Sequence, residues 1–132
     1  MTESNLRVLL VEDGAIASLA EKMKLERLGC TVDVAPNGEE AIELCNKNDY
    51  KLILMDIELE SFDGFVTTQK IRENLQNKAI SPIIIALTSK TDDSLKTKAK
   101  EAGMNDFFRK PLTDDKFHHI MAHYFNYEKH GS

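Results

Sequence analysis

Five side chains in this sequence have the types and the setting to handle phosphate: Glu12, Asp13, Asp56, Thr88 and Lys110. Each stands at or just after the end of a short run of strand-compatible residues. Glu12-Asp13 follow Val8-Leu9-Leu10-Val11, Asp56 closes Leu52-Ile53-Leu54-Met55, and Thr88 follows Ile83-Ile84-Ile85-Ala86-Leu87. Lys110 follows Asp106-Phe107-Phe108-Arg109. An isolated aspartate in an apolar interior is driven towards its neutral form, so Asp56 belongs at a strand's mouth with a cation as partner. Glu12, Asp13 and Asp56 in one pocket repel one another unless a cation answers them, and a hard divalent ion is the natural answer. Mg²⁺ takes one or two carboxylates, several waters and a phosphate oxygen. Lys110 then adds a fixed positive charge and Thr88 a hydroxyl donor, which with the metal neutralise the oxygens of a phosphoryl group in flight. In that chemistry Asp56 is the nucleophile and the product is an aspartyl phosphate.

For these residues to meet, the runs that carry them must be parallel neighbours whose carboxyl ends share one edge of a sheet. The pattern between them supports this. Arg7 to Val11 reads as a central strand, apolar on both faces. From Ala15 the period becomes helical, with Ile16, Leu19, Ala20 and Met23 expected inward, Glu21, Lys22, Lys24 and Glu26 outward, and Gly29 closing the helix. Thr31 to Ala35 alternates like a half-wet strand, and Asn37-Gly38 turns into a helix with Ala41, Leu44 and Cys45 buried. After the Leu52 to Asp56 strand, Ser61-Phe62-Asp63-Gly64 breaks the chain before a helix with Phe65, Thr68, Ile71 and Leu75 inward. Pro82 suits the start of the fourth strand. Thr91-Asp92-Asp93 and Gly103 bound a weakly amphipathic helix in which Leu95, Ala99 and Ala102 oppose Lys96, Lys98 and Lys100. Asp106 to Arg109 is a short last strand, and Thr113 caps a closing helix with Phe117, Ile120, Met121 and Tyr124 inward. Five strands alternating with five helices predict a single doubly wound (βα)5 flavodoxin-like α/β sandwich, with a five-stranded parallel sheet in the order 2-1-3-4-5.

The bulk numbers agree with one such domain over residues 1–132, with a core from about 7 to 125 and short polar tails, including Glu128 to Ser132. The chain has 132 residues, 42% hydrophobic and 30% charged, enough for a core without covalent staples. A net charge of -5 argues against direct nucleic-acid binding. No apolar run is long enough to insert in a membrane and the start is no signal peptide, so a cytoplasmic location is expected. Cys30 and Cys45 match neither a zinc nor a redox spacing and read as buried thiols. His118, His119, His123 and His130 tempt towards a metal site, but no Asp, Glu or Cys completes a set with them.

Val11-Glu12-Asp13, Met55-Asp56-Ile57, Asp63-Gly64, Leu87-Thr88-Ser89 and Phe108-Arg109-Lys110-Pro111, in this order, resemble the receiver domain of bacterial two-component response regulators. The resemblance runs from about Arg7 to about Phe125. It implies a phospho-accepting signalling switch, not an enzyme in the usual sense, which promotes its own Mg²⁺-dependent phosphorylation and slow dephosphorylation. Asp56 matches the phosphorylated aspartate. Glu12, Asp13, Asp56 and the backbone carbonyl of Glu58 match the metal site, with Mn²⁺ as a substitute for Mg²⁺. Thr88 and Lys110 match the phosphate-sensing pair, Phe107 the aromatic that turns inward with Thr88, and Pro111 a cis-proline. The implied donor is a sensor histidine kinase or histidine phosphotransfer protein. The implied output is an effector domain or protein that reads the surface of the fourth helix, fifth strand and fifth helix, with the switch a monomer or a phosphorylation-dependent dimer. The chain is expected to stand alone or to come from a larger protein, such as a membrane-anchored hybrid kinase.

Four positions depart from the family pattern. Gly14 replaces an asparagine frequent in receivers fused to kinases, Leu59-Glu60 a common Met-Pro, and Ser89 an alanine. Glu58 and Lys90 are expected to face each other across the pocket as an ion pair that slows hydrolysis of the acyl phosphate, so that Lys90→Ala shortens its lifetime. A phosphohydrolase using the same intermediate would need a substrate-covering cap, for which no segment is long enough. A flavodoxin-like cofactor binder would need a phosphate loop, but Gly14-Ala15-Ile16 follows the first strand instead.

Overall fold

The computed structural model describes residues 6–58, 63–79, 81–90 and 92–125. Leu59, Glu60, Ser61, Phe62, Thr91, His130 and the polar tail named above lie outside them. The elements alternate strictly: β1 (Arg7–Val11), α1 (Ala15–Arg27), β2 (Thr31–Ala35), α2 (Gly38–Lys47), β3 (Leu52–Asp56), α3 (Gly64–Leu75), β4 (Ile83–Thr88), α4 (Asp93–Ala102), β5 (Asp106–Arg109) and α5 (Asp114–Phe125). All strand pairs are parallel, and the order is β2-β1-β3-β4-β5.

Strand periodicity divides the core into two layers, one on each face of the sheet. Leu9, Val11, Ile53, Met55, Ile84 and Ala86 pack with Ala41, Cys45, Ile71, Leu75 and Ala99 of α2, α3 and α4. Val8, Leu10, Leu52, Leu54, Ile85 and Leu87 pack with Leu25, Phe117, Ile120 and Met121 of α1 and α5. Every residue of β3 is buried, so truncating one such as Leu54 to alanine costs about 2–5 kcal/mol. Cys30 and Cys45 are free and buried, and burial pushes both thiols up to about 11.

Local signals account for half of the helix boundaries. Asn37 Oδ1 accepts the Glu40 N–H at 2.9 Å, Asp63 Oδ1 the Phe65 N–H at 2.8 Å, and Asp92 Oδ1 the Ser94 N–H at 2.9 Å. Gly29 and Gly103, at φ 99° and 107°, supply the left-handed turns after α1 and α4. β4 runs one residue beyond its apolar run, and that residue is Thr88.

α1 corrects the expectation from hydrophobic period. Ile16, Leu19 and Met23 are 87%, 58% and 58% exposed, and Ala20 faces solvent with them, whereas Ser18 and Leu25 are buried. Glu21, Lys22 and Lys24 are half-buried. The helix is seated through Ser18, Leu25 and Leu28, with long polar side chains laid along the flank. Lys24 Nζ reaches the Leu112 carbonyl at 2.7 Å and so ties α1 to the segment before α5.

Candidate functional site

Parallel register delivers the predicted residues to one edge. Val11 pairs with Met55, Asp56 with Leu87, and Thr88 with Arg109, so Glu12, Asp56, Thr88 and Lys110 all emerge at the carboxyl ends of adjacent strands. Asp56 is buried within the last turn of strand pairing, its side chain 4% exposed. Its Oδ2 accepts from Lys110 Nζ at 2.7 Å and its Oδ1 from the Glu58 backbone N–H at 2.8 Å. The buried carboxylate therefore has the cationic partner that its position requires.

Glu12 completes an acidic pair with Asp56. Burial and the hydrogen bond with Asp56 push Glu12 up to about 7, although the Gly14 N–H donates to Glu12 Oε2 at 3.1 Å and, with Lys110, pulls the other way. Glu12 therefore keeps its proton to a higher pH than an ordinary carboxyl. Asp13 stands next to this pair and is exposed. Around Lys110, burial opposes the charge, but Asp56, Glu12 and Glu58 outweigh it and hold the ammonium above its ordinary value. Thr88 is fully buried and its Oγ1 accepts the Lys90 N–H at 3.1 Å. Phe107 is half-buried on β5, and the Lys110-Pro111 peptide is cis.

Glu58 does not behave as expected. Its carboxylate is turned to Ser89, accepting the Ser89 N–H at 2.9 Å on Oε1 and the Ser89 hydroxyl at 3.0 Å and 2.8 Å on Oε1 and Oε2. Lys110 Nζ lies 3.5 Å from Oε1, and among the described residues no ion pair joins Glu58 to Lys90. The reason is geometric: Ser89, exposed like Lys90, offers an amide and a hydroxyl donor within reach of one carboxylate. Burial raises the Glu58 carboxyl, yet the donors of Ser89 and Thr88 and the Lys110 charge outweigh it and hold it at about 2. The effect expected of Lys90→Ala on lifetime loses its basis. Ser89 is the residue that sequence reasoning passed over, and its only signal was that it departs from the alanine expected there.

Comparison with known proteins gives these observations a family. The model of the response regulator receiver domain matches residues 8–122. Two-component response regulator 24 of Arabidopsis thaliana is 35% identical over 92% of this chain and 85% of its own length. Hybrid signal transduction histidine kinase B of Dictyostelium discoideum is 39% identical over 80% of this chain, which there spans 6% of the relative. Among solved structures, the receiver domain of a sensor histidine kinase from Pseudomonas aeruginosa PAO1, with a magnesium ion coordinated in its active-site cleft, superposes with a TM-score of 0.80. That domain is 28% identical, covering 94% of this chain and all of that one (100%). A Saccharomyces cerevisiae receiver domain, crystallised with a histidine phosphotransfer protein, gives a TM-score of 0.82 at 25% identity, covering 92% of this chain and 90% of that one. With this sheet order and relatives on this scale, the chain belongs to the receiver family of two-component and phosphorelay signalling.

Proposed function

We propose that this receiver takes a phosphoryl group on Asp56 from a phosphohistidine donor and changes its surface in response. The observation that carries this reading is the Asp56 carboxylate, nearly buried and bonded to Lys110 at 2.7 Å, at the strand edge where Thr88 and Glu12 also emerge. In the transfer, an Asp56 oxygen forms the new O–P bond as the P–N bond of the phosphohistidine breaks. The imidazole leaves with the electron pair, neutral because its other nitrogen bears a proton. Lys110 follows the transferred oxygens and the Thr88 hydroxyl turns to them, which draws Phe107 inward and reshapes the face of α4, β5 and α5. A preference of a few kcal/mol for one of two arrangements is enough to redistribute them.

The acidic edge fits Mg²⁺. Among the described residues no three His, Cys, Asp or Glu side chains converge tightly enough to enclose a metal by themselves. Mg²⁺ does not ask for that, since it binds through one or two carboxylates and keeps its waters. The raised Glu12 carboxyl, crowded against the Asp56 charge, marks an excess of negative charge that a dication would offset. Asp13, Asp56 and the Glu58 carbonyl would hold the ion, with Glu12 acting through water. Bound there, Mg²⁺, or Mn²⁺ in its place, would screen the charge of the incoming phosphoryl oxygens.

The exposed stripe of Ile16, Leu19 and Met23 begins one turn after Asp13 and suits a helical donor domain that must bring its histidine to Asp56. The yeast receiver crystallised with a histidine phosphotransfer protein supports such a partner. Among the described residues no helix is long and apolar enough to cross a membrane. We place the switch in the cytoplasm, where kinase, nucleotide and Mg²⁺ occur together. Incubation with acetyl phosphate and Mg²⁺, followed by intact mass spectrometry, tests the assignment. The expected result is one added phosphoryl group on the wild type and none on Asp56→Asn; equal labelling of both would overturn it.

A further inference from the structure

The Glu58 carboxylate occupies a cradle of donors beside the nucleophile. The Ser89 N–H and hydroxyl donate to it at 2.9 Å, 3.0 Å and 2.8 Å, and Lys110 Nζ lies 3.5 Å away. The same Lys110 Nζ bonds Asp56 at 2.7 Å, and the Glu58 backbone N–H bonds Asp56 Oδ1 at 2.8 Å. A backbone amide, a hydroxyl and an ammonium converging on a delocalised anion are the donor set that suits a tetrahedral oxyanion. Here the anion they hold belongs to the chain itself. The contact also joins the segment after β3, which ends in Asp56, to the segment after β4, which ends in Thr88.

We propose that Glu58 is an internal competitor for the oxyanion cradle made by Ser89 and Lys110, and that its carboxylate must leave before a phosphoryl group can settle on Asp56. This rests on the assignment of Asp56 as the phosphorylated residue. Three consequences distinguish a competitor from a support. Deleting the carboxylate accelerates phosphorylation instead of slowing it. The gain grows with the acceptor capacity removed, because Gln loses the charge that draws Lys110 but keeps an acceptor for Ser89, whereas Ala loses both. Removing the Ser89 hydroxyl weakens the hold on Glu58, leaving the amide to serve the incoming oxyanion, so Ser89→Ala moves in the same direction.

The test measures the initial rate of Asp56 phosphorylation by acetyl phosphate with Mg²⁺, and the half-saturation concentration for beryllofluoride, in wild type, Glu58→Gln, Glu58→Ala and Ser89→Ala. Phosphoryl lifetime is followed separately so that slower loss is not mistaken for faster gain. The Glu58 backbone carbonyl survives every substitution, and the thermal midpoint of each variant checks its fold. Glu58→Ala is expected to phosphorylate about three- to tenfold faster than wild type, with Glu58→Gln between them and beryllofluoride binding tightened in the same order. In ¹⁵N spectra the Ser89 amide resonance should move on Glu58→Ala alone and again on adding beryllofluoride. Wild-type labelling on Asp56 with unchanged or slower rates in both Glu58 variants would overturn the competitor and leave the phosphorylation assignment standing. Absence of wild-type labelling would overturn both.

Discussion

Lys110 Nζ donates to Asp56 Oδ2 across 2.7 Å, pairing an ammonium that is 34% exposed with a carboxylate that is 4% exposed. The pair is asymmetric in its energetics. Lys110 can return to water if its partner is removed, but Asp56 cannot, so losing Lys110 leaves a buried acceptor uncompensated. Lys110→Met is expected to lower unfolding free energy by about 1–3 kcal/mol near neutral pH, read by urea denaturation. Uptake of phosphoryl from acetyl phosphate should fall about a hundredfold or more, because the cation proposed to meet the transferring oxygens would be lost. Lys110→Arg restores charge but not the single-point geometry and should recover stability better than uptake.

Glu12 and Glu58 give the metal-free protein opposite responses to pH. Glu12 is raised from 4.5 to about 7, so between those values the folded chain binds more protons than the unfolded chain and its stability falls as pH rises. Glu58 is lowered from 4.5 to about 2, so its contribution is full above 4.5 and is lost as pH falls towards 2. Thermal midpoints without divalent ions should therefore decline from pH 5 to pH 8 through the Glu12 term, and Glu12→Gln should flatten that decline. Mg²⁺ should raise the midpoint more at pH 8 than at pH 6, since at the lower pH it must first displace the Glu12 proton. An equal Mg²⁺ effect at both values would detach Glu12 from the metal.

At the opposite end of the sheet, Arg72 joins three segments. Its Nε donates to the Gly103 carbonyl at 2.9 Å, Nη1 to Ser81 Oγ at 2.9 Å and the Pro82 carbonyl at 2.8 Å, and Nη2 to Asn105 Oδ1 at 2.8 Å. Asn105 Oδ1 in turn accepts the Ile84 N–H at 2.8 Å. Arg72→Met keeps much of the stem but strands these acceptors, with an expected loss of about 2–4 kcal/mol by chemical denaturation. Arg72→Lys should rescue little, because one ammonium cannot serve acceptors spread around a planar fork. Asp56 labelling below the shifted midpoint should stay near the wild-type rate.

The sheet and the meeting of the candidate residues at one edge were legible because both follow from short runs. Apolar strands with polar ends set the order, and the register then left Glu12, Asp56, Thr88 and Lys110 little choice of edge. Two features were not legible, for different reasons. Hydrophobic period ranked the α1 stripe of Ile16, Leu19 and Met23 above the one with Ser18 and Leu25, because it has no term for Lys24 reaching the Leu112 carbonyl. Glu58 could have faced Lys90 or Ser89 from the same backbone, and the choice rests on a rotamer and a pair of donors that spacing does not encode.

The reversed face of α1 turns a packing error into a statement about recognition. Exposed apolar side chains cost the isolated domain little, so Leu19→Asp and Met23→Asp should leave its stability within about 0.5 kcal/mol of wild type. Phosphorylation by acetyl phosphate, which needs no docking, should also be unchanged, since neither side chain enters the strand-edge site. Transfer from a phosphohistidine donor protein should fall about tenfold or more, because the apolar contact proposed for a helical donor would be replaced by a charge that must be desolvated. The two donors thus separate docking from chemistry in one protein preparation. If both slow together, α1 acts through the fold of the site; if neither slows, the donor approaches Asp56 from another side.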